Sequence, residues 1–221
     1  MAAWADVPDL SRMRRDYDRP VLRESDLAPT WLEQFDRWFT DVVDAGVDDP
    51  NAVVVATADG DGAPDARIVL MKGYDADGIV FGTSYASTKG AQLAVNPRVA
   101  LVYPWHGLQR SVRITGRAER TDDATSDGLW DPRPREAQLA AVASVQSTVV
   151  DSREELEERV HRLDATTPEG SLPRPPQWGA YRVVPATVEF WQGGPGRLHD
   201  RLRFSRDDEE GGGWVLQRLA P

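Results

Sequence analysis

Residues 52–58 read Ala-Val-Val-Val-Ala-Thr-Ala and are followed at 59–62 by Asp-Gly-Asp-Gly. A run of valines with a threonine favours an extended strand, and the glycine-containing turn after it is typical of a β-hairpin. The second strand of that hairpin is supplied by Arg-Ile-Val-Leu-Met-Lys at 67–72. This stretch predicts an antiparallel sheet that begins near residue 52.

Further short apolar runs lie on the C-terminal side of the hairpin. They predict strands at 79–83, 99–105, 112–119, 181–184, 187–191, 201–204 and 214–219. Short strands separated by tight turns, with few long helices, indicate an antiparallel barrel or sandwich. The acidic, glycine-rich segment 207–213 is predicted to be a solvated hairpin tip. We find no internal repeat and no linker. The fold predicted from the residues is therefore one α+β domain over 30–221, built around a barrel and preceded by a basic arm at 1–29.

Three helix starts carry capping signals. Thr30 with Glu33 forms a capping-box pattern ahead of apolar residues at three- and four-residue spacing, which predicts a helix ending near Gly46. Ser87 is the predicted N-cap of a short helix that ends at Val95. The region 122–163 is predicted to be largely helical, and its clearest helix begins at Ser152, which forms a second capping box with Glu155.

Composition excludes several classes of function. The 221 residues include 36 acidic and 26 basic side chains, a net charge of −10, which argues against nucleic acid and against an anionic membrane surface as partner. The absence of cysteine excludes disulfides and thiol catalysis, and the three scattered histidines predict no metal site. Without a secretory leader or an apolar run long enough for a membrane span, a cytoplasmic location is expected. The fingerprints of Rossmann, P-loop and serine-hydrolase enzymes are also missing.

Two segments concentrate cationic and hydroxyl groups. Residues 84–90, Ser-Tyr-Ala-Ser-Thr-Lys-Gly, place hydroxyls and a lysine at a helix start, which suits a phosphate, although serine and threonine cap helices in many proteins. If residues 197–201 are extended, Arg197, His199 and Arg201 share one face and suit an anionic or electron-rich ligand. The alternative is a surface strand whose arginines neutralise nearby acids.

A series of short motifs carries a family resemblance over residues 12–221. In order, they are Arg14–Tyr17, Arg67–Lys72, Ser87–Gly90, Asn96-Pro97, Arg133-Pro134, Gln146-Ser147, Glu189–Gly193, Arg197–Arg201 and the ending Arg218–Pro221. Together they resemble the pyridoxine/pyridoxamine 5′-phosphate oxidases. The resemblance implies an FMN-binding split β-barrel and a homodimer with two flavin sites at the subunit interface. It also implies oxidation of B6 phosphates to pyridoxal 5′-phosphate, with dioxygen as acceptor and hydrogen peroxide as product.

The same resemblance assigns cofactor residues. Arg67 and Lys89 are expected to hold the FMN phosphate with help from Gln146 and Ser147, and the backbone at 68–71 and 82–83 is expected to line the flavin. The full expected set is Arg67, Ile68, Val69, Leu70, Met71, Lys72, Gly82, Thr83, Thr88, Lys89, Ser111, Gln146, Ser147, Trp191 and Arg201.

Substrate residues follow in the same way. Lys72 and Arg133 are expected to contact the substrate phosphate. Arg197 and His199, with Leu198 between them, are expected to lie over the pyridine ring as the catalytic pair. In the basic arm, Arg14, Arg15, Asp16 and Tyr17 are expected to close over the site as a lid.

Some positions depart from the family pattern. Where the family has a tyrosine and a serine on the substrate phosphate, this chain has Leu129 and Ala137, and neither side chain can donate a hydrogen bond. Near the flavin, Ser111, Gly82 and Thr88 replace the usual Gln, aromatic and Arg residues. Three hypotheses therefore stand: an FMN-dependent oxidase of B6 phosphates, an oxidase of the same fold acting on another aromatic or partly reduced heterocycle as in phenazine pathways, and a non-catalytic flavin or pyridoxal-phosphate binder.

Overall fold

The computed structural model describes residues 9–13, 15–207 and 213–221. Its strands are β1 Ala52–Ala58, β2 Pro64–Asp75, β3 Gly78–Ser84, β4 Arg98–Tyr103, β5 Arg110–Arg120, β6 Trp178–Gln192, β7 Asp200–Arg206 and β8 Trp214–Arg218. Its α-helices are α1 Trp31–Asp44, α2 Thr88–Val95, α3 Asp123–Trp130, α4 Arg135–Ala143 and α5 Arg153–Thr166. Short 3-10 turns span Leu10–Arg12, Glu24–Asp26, His106–Leu108 and Pro195–Arg197.

The strands form a closed antiparallel barrel with an extension. Their order is β3-β2-β1-β4-β5-β6-β7-β8, and β6 also pairs with β3, so six strands close into a barrel and two continue beyond it. One edge of β6 pairs with β5. The opposite edge pairs with β3 over 178–183 and with β7 over 187–192. A register shift opposite Thr115 and Gly116 separates these two halves. The barrel thus splits along β6, which confirms the predicted split-barrel fold.

The core explains why these elements form. Alternate residues of the strands point inward, so Val53, Val55 and Ile114 are completely buried in the barrel. Helix α1 covers the barrel with Phe35 and Trp38. A smaller cluster of Trp130, Leu139, Leu172 and Trp178 joins α3 and α4 to the start of β6.

Most of the predicted elements are confirmed, including both caps at Thr30 and Ser87. The predicted strand 99–105 is shorter because Pro104, which has no N–H to donate, follows β4. The runs 181–184 and 187–191 are parts of the single strand β6. Helix α5 begins at the Ser152 cap, but the Glu155 carboxylate accepts from the Asp151 N–H (3.2 Å), and the predicted second capping box does not close.

Residues 197–201 are not extended throughout, so the condition for placing Arg197, His199 and Arg201 on one face of a strand is not met. Residues 195–197 form a 3-10 turn in which Arg197 has φ +66°, and β7 begins only at Asp200. The chain bends because the preceding Gly-Pro-Gly sequence interrupts regular strand pairing. Most of the predicted hairpin tip, residues 208–212, lies outside the described residues. Among the helices that the structure describes, none has the length and apolar character needed to cross a membrane.

Candidate active site

A cavity of about 760 Å³ lies beside β2, β3, α2 and α4. It brings together residues that are far apart in the sequence, because the barrel places β2 beside β3 and α4 is anchored near β6 by the Trp130 cluster. The predicted residues that line it are Arg67, Ile68, Val69, Leu70, Lys72, Gly82, Thr83, Thr88, Lys89, Arg133, Gln146 and Ser147.

Lys89 is a buried cation at the start of α2. Its side-chain Nζ donates to Thr83 Oγ1 (3.0 Å), Ser87 Oγ (3.3 Å) and Gln146 Oε1 (3.2 Å). Within the described residues no carboxylate lies within 4.0 Å of this ammonium group. Burial and the nearby positive charge of Arg67 lower the pKa of Lys89 to about 8. A buried ammonium without a counter-ion, next to the free N–H groups of a helix start, suits an anionic ligand.

Arg67 is held on the same side of the cavity by its neighbours. Its guanidinium donates to Thr57 Oγ1 (2.6 Å) and to the Asp65 carboxylate (2.6 Å). These contacts fix the position of the Arg67 guanidinium beside β2. Arg67 and Lys89 thus place two cations on one cavity, where the Asp65 carboxylate pairs with Arg67. The arrangement is suited to a doubly charged phosphate.

Arg133 supplies a third cation from the turn between α3 and α4. Its guanidinium carbon lies 5.6 Å from the Trp130 ring and 5.1 Å from the Trp178 ring. One terminal nitrogen donates to the Ala137 carbonyl (3.1 Å), and burial lowers the pKa of the guanidinium. Its Nε is buried and has no hydrogen-bond partner among the residues that the structure describes. An unpartnered buried donor is costly unless a ligand accepts from it.

Two departures from the family pattern have visible consequences. At Gly82 a Cβ would lie only 2.9 Å from Trp178 Cζ2, so the indole occupies the space that a side chain at position 82 would need. Ala137 lines the cavity, as expected. Leu129 does not line it and packs instead against the Trp130 cluster, which corrects the expectation that both residues face a substrate phosphate.

A second group of predicted cofactor residues lies in another pocket. Ser111, Trp191 and Arg201 line a depression of about 390 Å³ that shares no lining residue with the larger cavity. The Arg201 guanidinium donates twice to Glu189 (2.8 and 3.2 Å) and once to the Ala220 carbonyl (2.9 Å). The hydrogen bond to Glu189 raises the pKa of Arg201.

Met71 is the predicted cofactor residue that lies in neither pocket. Its side chain is buried, and its Sδ accepts a hydrogen bond from Tyr103 (3.1 Å). Its backbone N–H and carbonyl are both bonded to Asn51.

Three rings expected in the site do meet, two from the substrate set and Trp191 from the cofactor set. Tyr17 lies 5.7 Å from Trp191 and 5.4 Å from His199, and the last two rings are 4.9 Å apart. His199 Nδ1 accepts the Gly194 N–H (3.2 Å), so the neutral imidazole carries its proton on Nε2. Arg197 and Leu198 are exposed on the turn beside it. Arg15 and Asp16 are exposed as well, whereas Arg14 lies outside the described residues.

The sequence reasoning missed the groups that hold these side chains in place. Glu189 lies within a quoted motif but received no role, although an acidic residue in an otherwise apolar strand is a signal of a buried ion pair. Nothing local in the sequence indicated that residues 18–22 bind to Gln109, Gln192, Asp200 and Arg218.

Comparison with known proteins agrees with this geometry. Residues 39–167 match the family model described as pyridoxamine 5′-phosphate oxidase, and residues 178–221 match the pyridoxine 5′-phosphate oxidase C-terminal dimerisation region. The chain belongs to the pyridoxamine 5′-phosphate oxidase family. Over 223 residues it is 48% identical to the pyridoxine/pyridoxamine 5′-phosphate oxidase of Salinispora arenicola, with all of both chains covered. Its identity with the enzyme of that name from Burkholderia vietnamiensis is 49% over 212 residues, covering 96% of this chain and 99% of the relative.

Two solved structures with this fold are informative for comparison. PhzG from Burkholderia lata, in complex with tetrahydrophenazine-1-carboxylic acid, superimposes with a TM-score of 0.86 at 30% identity, covering 94% of this chain and all of PhzG. A pyridoxamine 5′-phosphate oxidase-related, FMN-binding protein from Nostoc punctiforme superimposes with a TM-score of 0.67 at 16% identity, covering 88% of this chain and all of that protein. The second likeness supports the fold alone.

Proposed function

We propose that this chain is an FMN-dependent oxidase that converts pyridoxamine or pyridoxine 5′-phosphate to pyridoxal 5′-phosphate. The observation that carries the proposal is the cavity in which Lys89 lacks a carboxylate partner among the described residues and Arg133 Nε lacks any hydrogen-bond partner. A family oxidase has two phosphates to bind, one on its flavin and one on its substrate, and this cavity offers cationic groups for both.

The residues present fit FMN. Arg67 and Lys89 hold its phosphate, Gln146 and Ser147 lie beside them, and the β2 and β3 backbones line the ring. When bound, FMN would supply the hydride acceptor and the centre that dioxygen reoxidises with release of hydrogen peroxide. The protein contributes orientation and charge.

The substrate is held by other groups of the chain. Lys72 and Arg133 bind its phosphate, and the unpartnered Arg133 Nε gains its acceptor there. His199 and Arg197 lie over the pyridine ring, with Tyr17 closing the site and excluding water, which strengthens the charge contacts within it. The Gly194 N–H keeps the His199 proton on Nε2.

The working enzyme in this proposal is a homodimer. In one chain, Trp191 and Arg201 do not share a pocket with Arg67 and Lys89. Two copies related by a twofold axis can place the C-terminal group of one against the cavity of the other, which makes two equivalent sites. The match of residues 178–221 to a dimerisation region supports this arrangement.

A second candidate function rests on two observations. The structural likeness to PhzG is strong, and Ala137 puts a methyl group where the family places a hydroxyl on the substrate phosphate. Both favour an oxidase of the same fold whose substrate is another aromatic or partly reduced heterocycle without that phosphate.

The decisive experiment measures peroxide release by the purified, flavin-loaded protein with pyridoxamine 5′-phosphate. The proposal expects turnover with the phosphate and little with pyridoxamine itself. Bound flavin without peroxide from either B6 phosphate would contradict the proposal. Reduction of that flavin by a dihydro-heterocycle would then establish the second function, and its absence would leave a non-catalytic binder.

A variant pair tests the cofactor site separately. Replacing both Arg67 and Lys89 by alanine is expected to remove the flavin, because two charge-assisted phosphate contacts are lost. The matched control replaces Arg98 and Arg117, a cross-strand pair outside the cavity, and is expected to keep its yellow colour. Equal flavin absorbance in the two double variants would refute the assigned phosphate site.

A further inference from the structure

Residues 17–24 form a strap that crosses the ends of three strands. The Asp18 N–H donates to Gln109 Oε1 (3.1 Å), and the Pro20 carbonyl accepts from Gln192 Nε2 (2.8 Å) at the end of β6. Leu22 is buried at the start of β7. Over this segment, the predicted basic arm is therefore a packed part of the fold.

Both backbone polar groups of Leu22, in the strap, are hydrogen-bonded to the C-terminal strands. Its N–H donates to Asp200 Oδ2 (2.9 Å), and its carbonyl accepts from the Arg218 guanidinium (2.7 Å). Arg218 also donates to Asp200 Oδ1 (2.6 Å) and binds Glu24 with two nitrogens (2.8 and 3.1 Å). Asp200 is only 7% exposed, so its hydrogen bonds are shielded from water. We call this arrangement of Asp200, Arg218 and Glu24 the clamp.

The other end of the strap carries Tyr17 into the ring cluster. The Tyr17 ring rests edge-on against Trp191 and His199. It fits only because residue 193 is glycine, where a Cβ would lie 2.6 Å from Tyr17 Cγ. Asp200 directly follows His199 in the chain. The residue that binds the strap is therefore the sequence neighbour of the residue that Tyr17 covers.

We propose that Asp200 and Arg218 are positioning residues that hold Tyr17 over His199 and Trp191. They do not touch the reacting atoms. By fixing Leu22 they restrict the five-residue segment that ends in Tyr17, so less conformational entropy is lost when the ring closes over a substrate. The link to catalysis rests on the proposed function, whereas the link between the clamp and Tyr17 can be tested without it.

The first measurement is hydrogen–deuterium exchange in the flavin-loaded protein. We compare peptides that contain Asp18 with peptides that contain Leu22, in the variants Asp200→Asn, Arg218→Gln and Arg218→Lys. Loss of the clamp is expected to speed exchange about tenfold in both segments. Arg218→Lys should give an intermediate rate, because lysine keeps the positive charge but lacks the several planar donors of the guanidinium. The control Arg153→Gln breaks an exposed ion pair on α5 and should change neither segment.

Gly193→Ala separates ring docking from the clamp. It is expected to displace Tyr17 and speed exchange near Asp18 while Leu22 stays protected, because the contacts of Asp200 and Arg218 are untouched. If the clamp variants loosen only Leu22 and leave the segment at Asp18 protected, the clamp does not position Tyr17 and the inference is overturned.

The second measurement is steady-state kinetics on the same variants. With flavin content and melting temperature close to wild type, the clamp variants should raise KM for pyridoxamine 5′-phosphate about tenfold. Faster exchange with unchanged KM and kcat would overturn the role in substrate binding. A wild-type protein that releases no peroxide would defeat the proposed function, but the exchange pattern would still decide whether the clamp positions Tyr17.

Discussion

The surroundings of one side chain, Lys89, indicate that the cavity suits an anionic ligand. Placing its ammonium at the start of α2, bonded only to neutral oxygens, is unfavourable for the protein alone, as the lowered pKa records. Sequence reasoning reached this residue in two ways, by the chemistry of a helix start and by family resemblance. It could not predict that the Arg133 guanidinium lies close to the Trp178 ring, since Trp178 is 45 positions further along the chain (178 − 133) and only the fold brings it near.

Flavin affinity is expected to depend on pH through Lys89. Its pKa in the free protein is about 8, and a bound phosphate favours the ammonium form, which raises that pKa. Below pH 8 the group is protonated in both states and affinity is flat. Above it, binding must take up a proton, so affinity should fall by up to about tenfold per pH unit.

Fluorescence titration of the apoprotein with FMN measures this effect between pH 6.5 and pH 9.5, roughly the range over which the proton is taken up. The variant Lys89→Met should bind weakly with no such break, and an identical break in that variant would assign it to another group.

Ala137→Ser is expected to improve binding of a B6 phosphate. It restores a hydroxyl on the cavity wall next to Arg133, and a hydrogen bond to a charged phosphate contributes about 1.5 kcal/mol, roughly a tenfold lower KM. The turnover number should hardly change, because the contact is present equally in the ground and transition states. The control is Ala143→Ser, on the same helix but outside the cavity lining. Equal KM values for both serine variants would show that position 137 does not face the phosphate.

At the scale of elements, local sequence patterns predicted correctly those strand bounds and helix caps that depend on interactions between residues close in the chain. The bounds of β1 and the caps of α1 and α2 follow from nearest neighbours, and they are confirmed. The single strand β6 was predicted as two separate runs, 181–184 and 187–191. Pairing on both of its edges, with the three strands β3, β5 and β7, keeps it continuous, and no local window contains that information.

The cap of α2 links helix stability to the cofactor site. Ser87 Oγ accepts from the Gly90 N–H (3.3 Å) and from Lys89 Nζ (3.3 Å), and it donates to the Ser84 carbonyl (2.7 Å). Ser87→Ala should therefore lower the free energy of unfolding by about 1–2 kcal/mol and also weaken FMN binding several-fold. Thr30→Ala is the matched control, since it removes a comparable cap from α1 far from the cavity. Denaturant melts and flavin titrations compare them, and equal flavin affinity in the two variants would contradict the link.

At the scale of the whole molecule, the split of the barrel along β6 separates two sets of functional groups. The cavity residues lie on or beside β2, β3, α2 and α4. The second set comprises Trp191 on the second half of β6, His199 on the turn before β7 and Arg201 on β7. In the proposed function, a single chain therefore holds two incomplete halves of the site. The motif residues name members of both halves, and the family resemblance implies a flavin site at a subunit interface. Which residues belong to which half depends on the closure of the barrel and cannot be derived from the motifs alone.

If each site is built from the cavity of one subunit and the extension of its partner, two inactive variants should restore each other. Lys89→Ala with Arg67→Ala disables the cavity half, and His199→Ala with Arg197→Ala disables the extension half. In a mixed dimer one site then carries both defects and the other carries none. Random reassortment makes half of the dimers mixed, so about a quarter of wild-type peroxide release should return. The mixture is prepared by refolding together or by co-expression, with each variant alone as the inactive baseline. Activity that stays at the baseline, although mass spectrometry shows mixed dimers, would mean that both halves act within one chain and that the two-chain site is wrong.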